Sequence, residues 1–157
     1  MTGARKGFTL VELLIVIVII GILSSSMMLS SGAATDMAEA SNIVSDLYGL
    51  KTACLLFLLD SMDEVVGPEF FPNITMLARY IDNSARFREG GSYTIGVGGD
   101  GRWYVGFNLE TANKSDGVAK RLAGRARSVG LLQSMDLGNF FTAETSEESM
   151  MVWMVAR

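Results

Sequence analysis

The sequence contains no histidine, one cysteine and two prolines, and only 19% of its 157 residues are charged. Without histidine there is no imidazole general base, no His-dependent catalytic triad and no HExxH zinc site. The lone cysteine, Cys54, excludes an intramolecular disulfide framework and a cysteine-cluster zinc site. Two prolines exclude a proline-rich linker or a collagen-like segment. The balance of 13 basic and 17 acidic residues, net -4, disfavours wholesale binding to nucleic acid unless a local basic patch exists. Much of the enzyme repertoire is gone at this point, and neither a cofactor nor a metal is expected. What is present is apolar: 49% of the residues are hydrophobic, with 8 Phe, 4 Tyr and 2 Trp, too many to leave the chain disordered. The length suits one ordinary domain with an appendage.

The apolar content is concentrated near the start. Residues 8–29 read FTLVELLIVIVIIGILSSSMML and hold a single charge, Glu12. As a helix they would reach about 33 Å, enough to cross a bilayer core. Arg5 and Lys6 stand just before them and, by the positive-inside rule, belong on the cytoplasmic side. A secretory signal peptide fits poorly, because the apolar core is long and no small-x-small cleavage site stands out. A plain signal anchor leaves Glu12 unexplained. An acid near the start of a spanning helix costs a few kcal/mol by insertion scales and calls for a partner.

Gly7-Phe8-Thr9-Leu10-Val11-Glu12, followed by an unbroken aliphatic run, resembles the class III signal sequence of type IV pilins and type II secretion pseudopilins. The resemblance implies a cut between Gly7 and Phe8 by a membrane-embedded prepilin peptidase, and methylation of the new amine on Phe8. It implies that Glu12 meets the Phe8 amine of a neighbouring subunit during assembly. It also implies polymerisation of the chain with itself, a separate assembly ATPase and a platform membrane protein. Gly21 matches a glycine the family often carries. Where major pilins commonly place a proline eight residues later, this chain has Leu29, so the local helix melting tied to that proline is not implied; Gly21 and the serines at 24–26 would still loosen the helix.

Beyond residue 33 the pattern becomes amphipathic. Met37, Ala40, Ile43 or Val44, Leu47, Leu50, Cys54 and Phe57 recur every three to four residues, and Asp36, Glu39, Asn42, Asp46 and Lys51 fall largely elsewhere on the wheel. With no proline between 8 and 60, one continuous helix is expected, its second half under a sheet; a coiled-coil stalk is the competing reading. The run at 55–59, Leu-Leu-Phe-Leu-Leu, is apolar all round and is expected to be buried. Cys54 reads as a small core residue.

The remainder reads as a small head. A short helix is expected over 73–82. Strands over 92–97 and 102–109, joined by Gly98-Gly99-Asp100-Gly101, form the clearest hairpin. Gly96, Gly98 and Gly101 match GxGxxG, but a strand follows where a dinucleotide site needs a helix, so they read as turn residues. An amphipathic helix is expected over 115–129, capped by Ser115 and stopped by Gly130, with Val118, Ala119, Leu122, Ala126 and Val129 on its buried stripe. It carries Lys120, Arg121, Arg125 and Arg127. These read as dipole-complementing solvated cations, as a surface for acidic neighbours, or as the DNA-capturing face that some filaments of the resembled family possess. Glu144, Glu147 and Glu148 precede a last strand at 150–156; they read as a solvated loop, with no EF-hand spacing for the calcium that secretion-type relatives hold. Asn73-Ile-Thr75 and Asn113-Lys-Ser115 match the N-glycosylation triplet, a pattern common by chance.

The expected fold is α+β, a pilin-like lollipop in which a long N-terminal helix packs under a small antiparallel sheet with short accessory helices. The expected organisation is a basic leader at 1–7, a membrane-anchor and filament-core helix at 8–30, its amphipathic continuation at 31–60 and the head at 61–157. The chain reads as a type IV prepilin without enzymatic activity. It would be held in the inner membrane by one span with the C-terminus outside, and later in an extracellular pilus. A periplasmic pseudopilus subunit, or a minor tip pilin that binds DNA or surfaces, are the alternatives.

Overall fold

The computed structural model describes residues 7–61, 72–82, 84–135, 137–143 and 150–157; over 26–31 it describes the backbone alone. Two compact units emerge, Met1–Thr35 and Asp36–Arg157, and the division falls inside one helix. That helix, α1, spans Leu10–Asp60.

In the first unit every described side chain from Gly7 to Ser25 is exposed, including the whole aliphatic run from Leu10 to Leu23. A helix that is apolar all round has no buried face of its own and belongs in lipid or in a packed assembly. Ser25 Oγ donates to the Gly21 carbonyl at 2.9 Å, the backward bond by which serine competes with the helical ladder.

In the second unit a four-stranded antiparallel sheet comprises β1 (Tyr93–Val97), β2 (Trp103–Asn108), β3 (Leu131–Leu132) and β4 (Met151–Val155), in the order β1-β2-β4-β3. Ile95, Val105, Met154 and Leu131 stand opposite one another in a single row across all four strands. Period-two alternation puts this row and its neighbours Tyr93, Phe107 and Val152 in the core. There they join Ala40, Ile43, Val44, Leu47, Leu50, Ala53 and Cys54 of α1, all buried at the expected three-to-four spacing. The architecture is α+β: a long N-terminal helix, a small antiparallel sheet and one accessory α-helix, with short 3-10 turns among the described residues.

The hairpin turns where expected. Gly98 N–H donates to the Arg102 carbonyl at 3.0 Å, and Gly101 takes φ +74°, the left-handed region that favours glycine. The Asp100 carboxylate accepts from Arg102 N–H (3.0 Å) and Tyr104 O–H (2.9 Å). The Arg102 backbone bond holds its carboxyl below the usual range. On the other face of the sheet the Trp153 indole lies over Gly106, where a Cβ would stand 2.7 Å from its ring. The missing side chain is what admits the indole.

The second α-helix, α2 (Asp116–Val129), begins at the Ser115 cap, whose hydroxyl accepts from Val118 N–H at 3.3 Å. It ends at Gly130 with φ +77°. Ser115 Oγ donates to Asp36 at 2.7 Å, Arg125 donates to Ser41 Oγ at 3.1 Å, and Tyr48 O–H donates to the Val129 carbonyl at 3.4 Å. Both residue series ascend together, so α2 runs alongside this part of α1 in the same direction. Lys114 pairs with Glu39 at 3.0 Å. Further along α1, Asp46 accepts the Tyr93 hydroxyl and pairs with Arg86 at 3.1 Å, joining the helix to β1 and to the turn before it. Burial, then the Asp46 bond, pushes the Tyr93 phenol up.

Several expectations need correction. Leu55, Leu56 and Leu59 are 40%, 42% and 61% exposed, not buried. The helix meets the sheet on one face only, which residues 50, 53, 54, 57 and 58 continue, while 55, 56 and 59 rotate away from it at about 100° per residue. Met37 is exposed for the same reason. The helix expected over 73–82 is a five-residue 3-10 helix, Met76–Tyr80. Asn73 Oδ1 accepts both the N–H (2.9 Å) and the hydroxyl (3.1 Å) of Thr75, an alternative to the helical ladder, and Ile81 is extended. Val129 is half-buried rather than part of the buried stripe. Strand β3 was not expected; two leucines after Gly130 are too short to show alternation. The acidic group Glu144, Glu147 and Glu148 lies outside the described residues.

Cys54 is fully buried, and desolvation pushes its thiol up to about 12. Because the thiolate is the reactive form, native protein at pH 8 is expected to resist iodoacetamide. Full alkylation is expected only in denaturant, read by intact-mass spectrometry. Quantitative labelling of folded protein would contradict this placement.

Candidate processing and assembly site

The residues at the head of α1 form one local arrangement. Gly7, Phe8 and Thr9 precede the helix and are exposed, Phe8 by 76%. A Cβ on Gly7 would meet nothing within 4 Å. The Gly7–Phe8 bond is therefore non-helical and open, which is the condition a peptidase needs.

Thr9 starts the helix: its carbonyl accepts from Leu13 N–H at 3.3 Å. Glu12 Oε2 accepts from the Thr9 backbone N–H at 2.9 Å and from the Thr9 hydroxyl at 2.7 Å, and Glu12 N–H donates to Thr9 Oγ1 at 3.3 Å. This is a reciprocal capping box, threonine at the cap and glutamate three residues on. The T-x-x-E spacing was legible in the sequence and gives Thr9 a role that reading the charges alone missed. Glu12 Oε1 has no partner among the described residues, so half of the carboxylate remains available to a cation from outside the chain. A free amine created on Phe8 would sit at the positive end of its own helix dipole, where a cation is unfavourable, and so favours an external carboxylate.

The structure does not bring the other sequence-derived residues to this site. Arg5 and Lys6 lie outside the described residues. Lys120, Arg121, Arg125 and Arg127 are exposed on α2 in the second unit. Among the described residues no group of acids or cysteine is placed to hold a metal ion. Gly96, Gly98 and Gly101 lie in and beside the hairpin turn, with strand β2 after them and no helix N-terminus for a phosphate.

Residues 3–28 match the family model described as the prokaryotic N-terminal methylation motif, so the head of this chain is similar to segments that carry that motif. The curated relatives it matches are narrower in identity. The type II secretion system core protein G of Klebsiella michiganensis is 38% identical over 58 residues, 37% of this chain and 41% of that protein. The protein of the same name from Escherichia coli K12 is 37% identical over 60 residues, 38% of this chain and 41% of that protein. The chain thus spans about two fifths of the length of these relatives. Among solved structures, the major type IV pilin PilA1 from Clostridium difficile is similar, with TM-score 0.49 and 17% identity, over 79% of this chain and 98% of that one.

Proposed function

We propose that this chain is the structural subunit of a helical filament of the type IV pilin kind, without enzymatic activity. The observation that carries the reading is the Gly7–Glu12 head, an open bond followed by a capped acid, opening a helix that is aliphatic on every side. In this reading residues 1–7 are a leader whose Arg5 and Lys6 stay cytoplasmic. Prepilin peptidase cuts before Phe8, and the Phe8 amine is methylated. Residues 8–30 span the inner membrane with the C-terminus outside until a neighbour replaces lipid. Both surroundings accept an aliphatic surface, so transfer from one to the other need not expose it to water. The Glu12 carboxylate then meets the Phe8 amine of the next subunit in a low-dielectric core, where two opposite charges attract strongly and either alone is costly. An assembly ATPase and a platform protein supply the work of extraction. Residues 31–60 continue the helix under the head, 61–157.

The test is N-terminal mass spectrometry of polymer sheared from producing cells. The expected chain begins at methylated Phe8. An intact leader in native polymer would overturn the reading.

A second reading, a pseudopilin that works in the periplasm, is favoured by the matches to core protein G. Processed Phe8 in material that fractionates with the periplasm and never with sheared surface polymer would select it.

A further inference from the structure

We propose that the outer face of α2, centred on Gly124, is a docking face for a second copy of this chain; the proposal rests on the filament reading above. Gly124 stands in the interior of α2 and is exposed. Its neighbours three and four residues away are Lys120, Arg121, Arg127 and Ser128, all exposed, with Arg125 beside them. Glycine is the poorest helix former apart from proline. Nothing among the described residues requires it here, since its φ is not positive and a Cβ would meet nothing within 4 Å. Gly117, in the same helix, shows the contrast: a Cβ there would fall 1.9 Å from the Asp36 carboxylate. The bare spot at Gly124 is therefore unexplained by the fold and suits close approach of another backbone from outside.

The charge around it points to the same occupant. Lys120 and Arg121 have no partner among the described residues, while Arg125 reaches Ser41 and Arg127 lies over the Phe140 ring at 5.9 Å. Outside α2, residues 36–157 carry 15 acids against seven cations. Each copy so presents one basic face and, by sequence, carries a surplus of acid elsewhere. In a helical polymer every subunit meets its neighbour through unlike surfaces, which is what this asymmetry satisfies. A nucleic acid would also be drawn to the cations, but it gains nothing from a missing side chain, and the acidic remainder repels it.

The test uses the full-length chain in producing cells, with two variants. Gly124→Ala improves helix propensity, so the detergent-solubilised monomer should melt about 3 °C higher, while sheared polymer falls severalfold; a change that only affects folding would move both the same way. Lys120→Glu/Arg121→Glu should lower sheared polymer roughly tenfold or more, with cleavage before Phe8 and monomer melting unchanged. Normal polymer from either variant would overturn the proposal. So would normal polymer from the double variant together with lost binding of a DNA duplex, which would assign the face to nucleic acid. Failure of the unmodified chain to polymerise would instead sink the filament reading.

Discussion

Replacing Glu12 by Gln is expected to leave cleavage at Gly7 intact and to abolish sheared polymer. Two features of the site set this expectation. A glutamine carbonyl can still accept from the Thr9 N–H and hydroxyl, so the capping box survives and the helix begins as before. Only the charge is lost. If the Phe8 amine of a neighbour is buried against that position, removing its counter-charge strands a cation in an apolar core. Breaking a buried pair in this way costs about 3–5 kcal/mol, or roughly two to four decades in each association constant. Polymerisation repeats the loss at every subunit, so a graded defect becomes an absent filament. Thr9→Val is the matching control: it keeps the charge, removes the hydroxyl from the box and should lose about 1 kcal/mol of helix start, with polymer reduced but present. Anti-subunit immunoblots of sheared and cell-bound fractions read both variants. Filaments of normal abundance from Glu12→Gln would end the pairing idea.

Leu47→Ala is expected to lower the stability of the second unit by about 2–5 kcal/mol. Leu47 is fully buried and belongs to the helix face that meets the sheet. Truncating it removes apolar contact and leaves a cavity that neighbouring layers cannot close. Against a total of roughly 5–15 kcal/mol, that is a large fraction. The melting temperature in detergent, followed by near-ultraviolet circular dichroism, should fall by about 10 °C. Leu55→Ala deletes the same atoms from a side chain left 40% exposed, and should cost under about 1 kcal/mol. Equal effects at 47 and 55 would mean that the buried face has been misplaced.

The contrast between those two leucines shows how far sequence carries. The apolar spacing from Ala40 to Cys54 was regular enough to assign a face, and the sheet sits on that face. At 55–59 the pattern saturates: five apolar residues in a row have no periodicity, and only the position of the sheet decides which of them are covered. The hairpin and α2 were legible because turn glycines, a serine cap and a terminal glycine fix their limits locally. Strand β3 was not, because a two-residue strand exists through its partners Met154 and Trp153 rather than through any preference of Leu131 and Leu132. Residues 73–82 carried a helical stripe that the Asn73 side chain overrode, and Ile74 and Leu77 are buried all the same. At the chain head the charge of Glu12 drew attention, yet its bond to Thr9 sets the local geometry.

The position of the seam within α1 bears on how such chains diversify. The division between the two units falls at Thr35 and Asp36, well before the helix ends at Asp60. Residues 40–54 supply one wall of the head's core, and Asp36, Ser41 and Asp46 hold α2 and β1 in place. Recombination that swapped heads at the end of the helix would therefore strand a sheet without its inner layer. An exchange that preserves folding must cut near residue 36, so the inherited module includes half of the helix, and only the aliphatic part before it can be shared unchanged between chains with different heads.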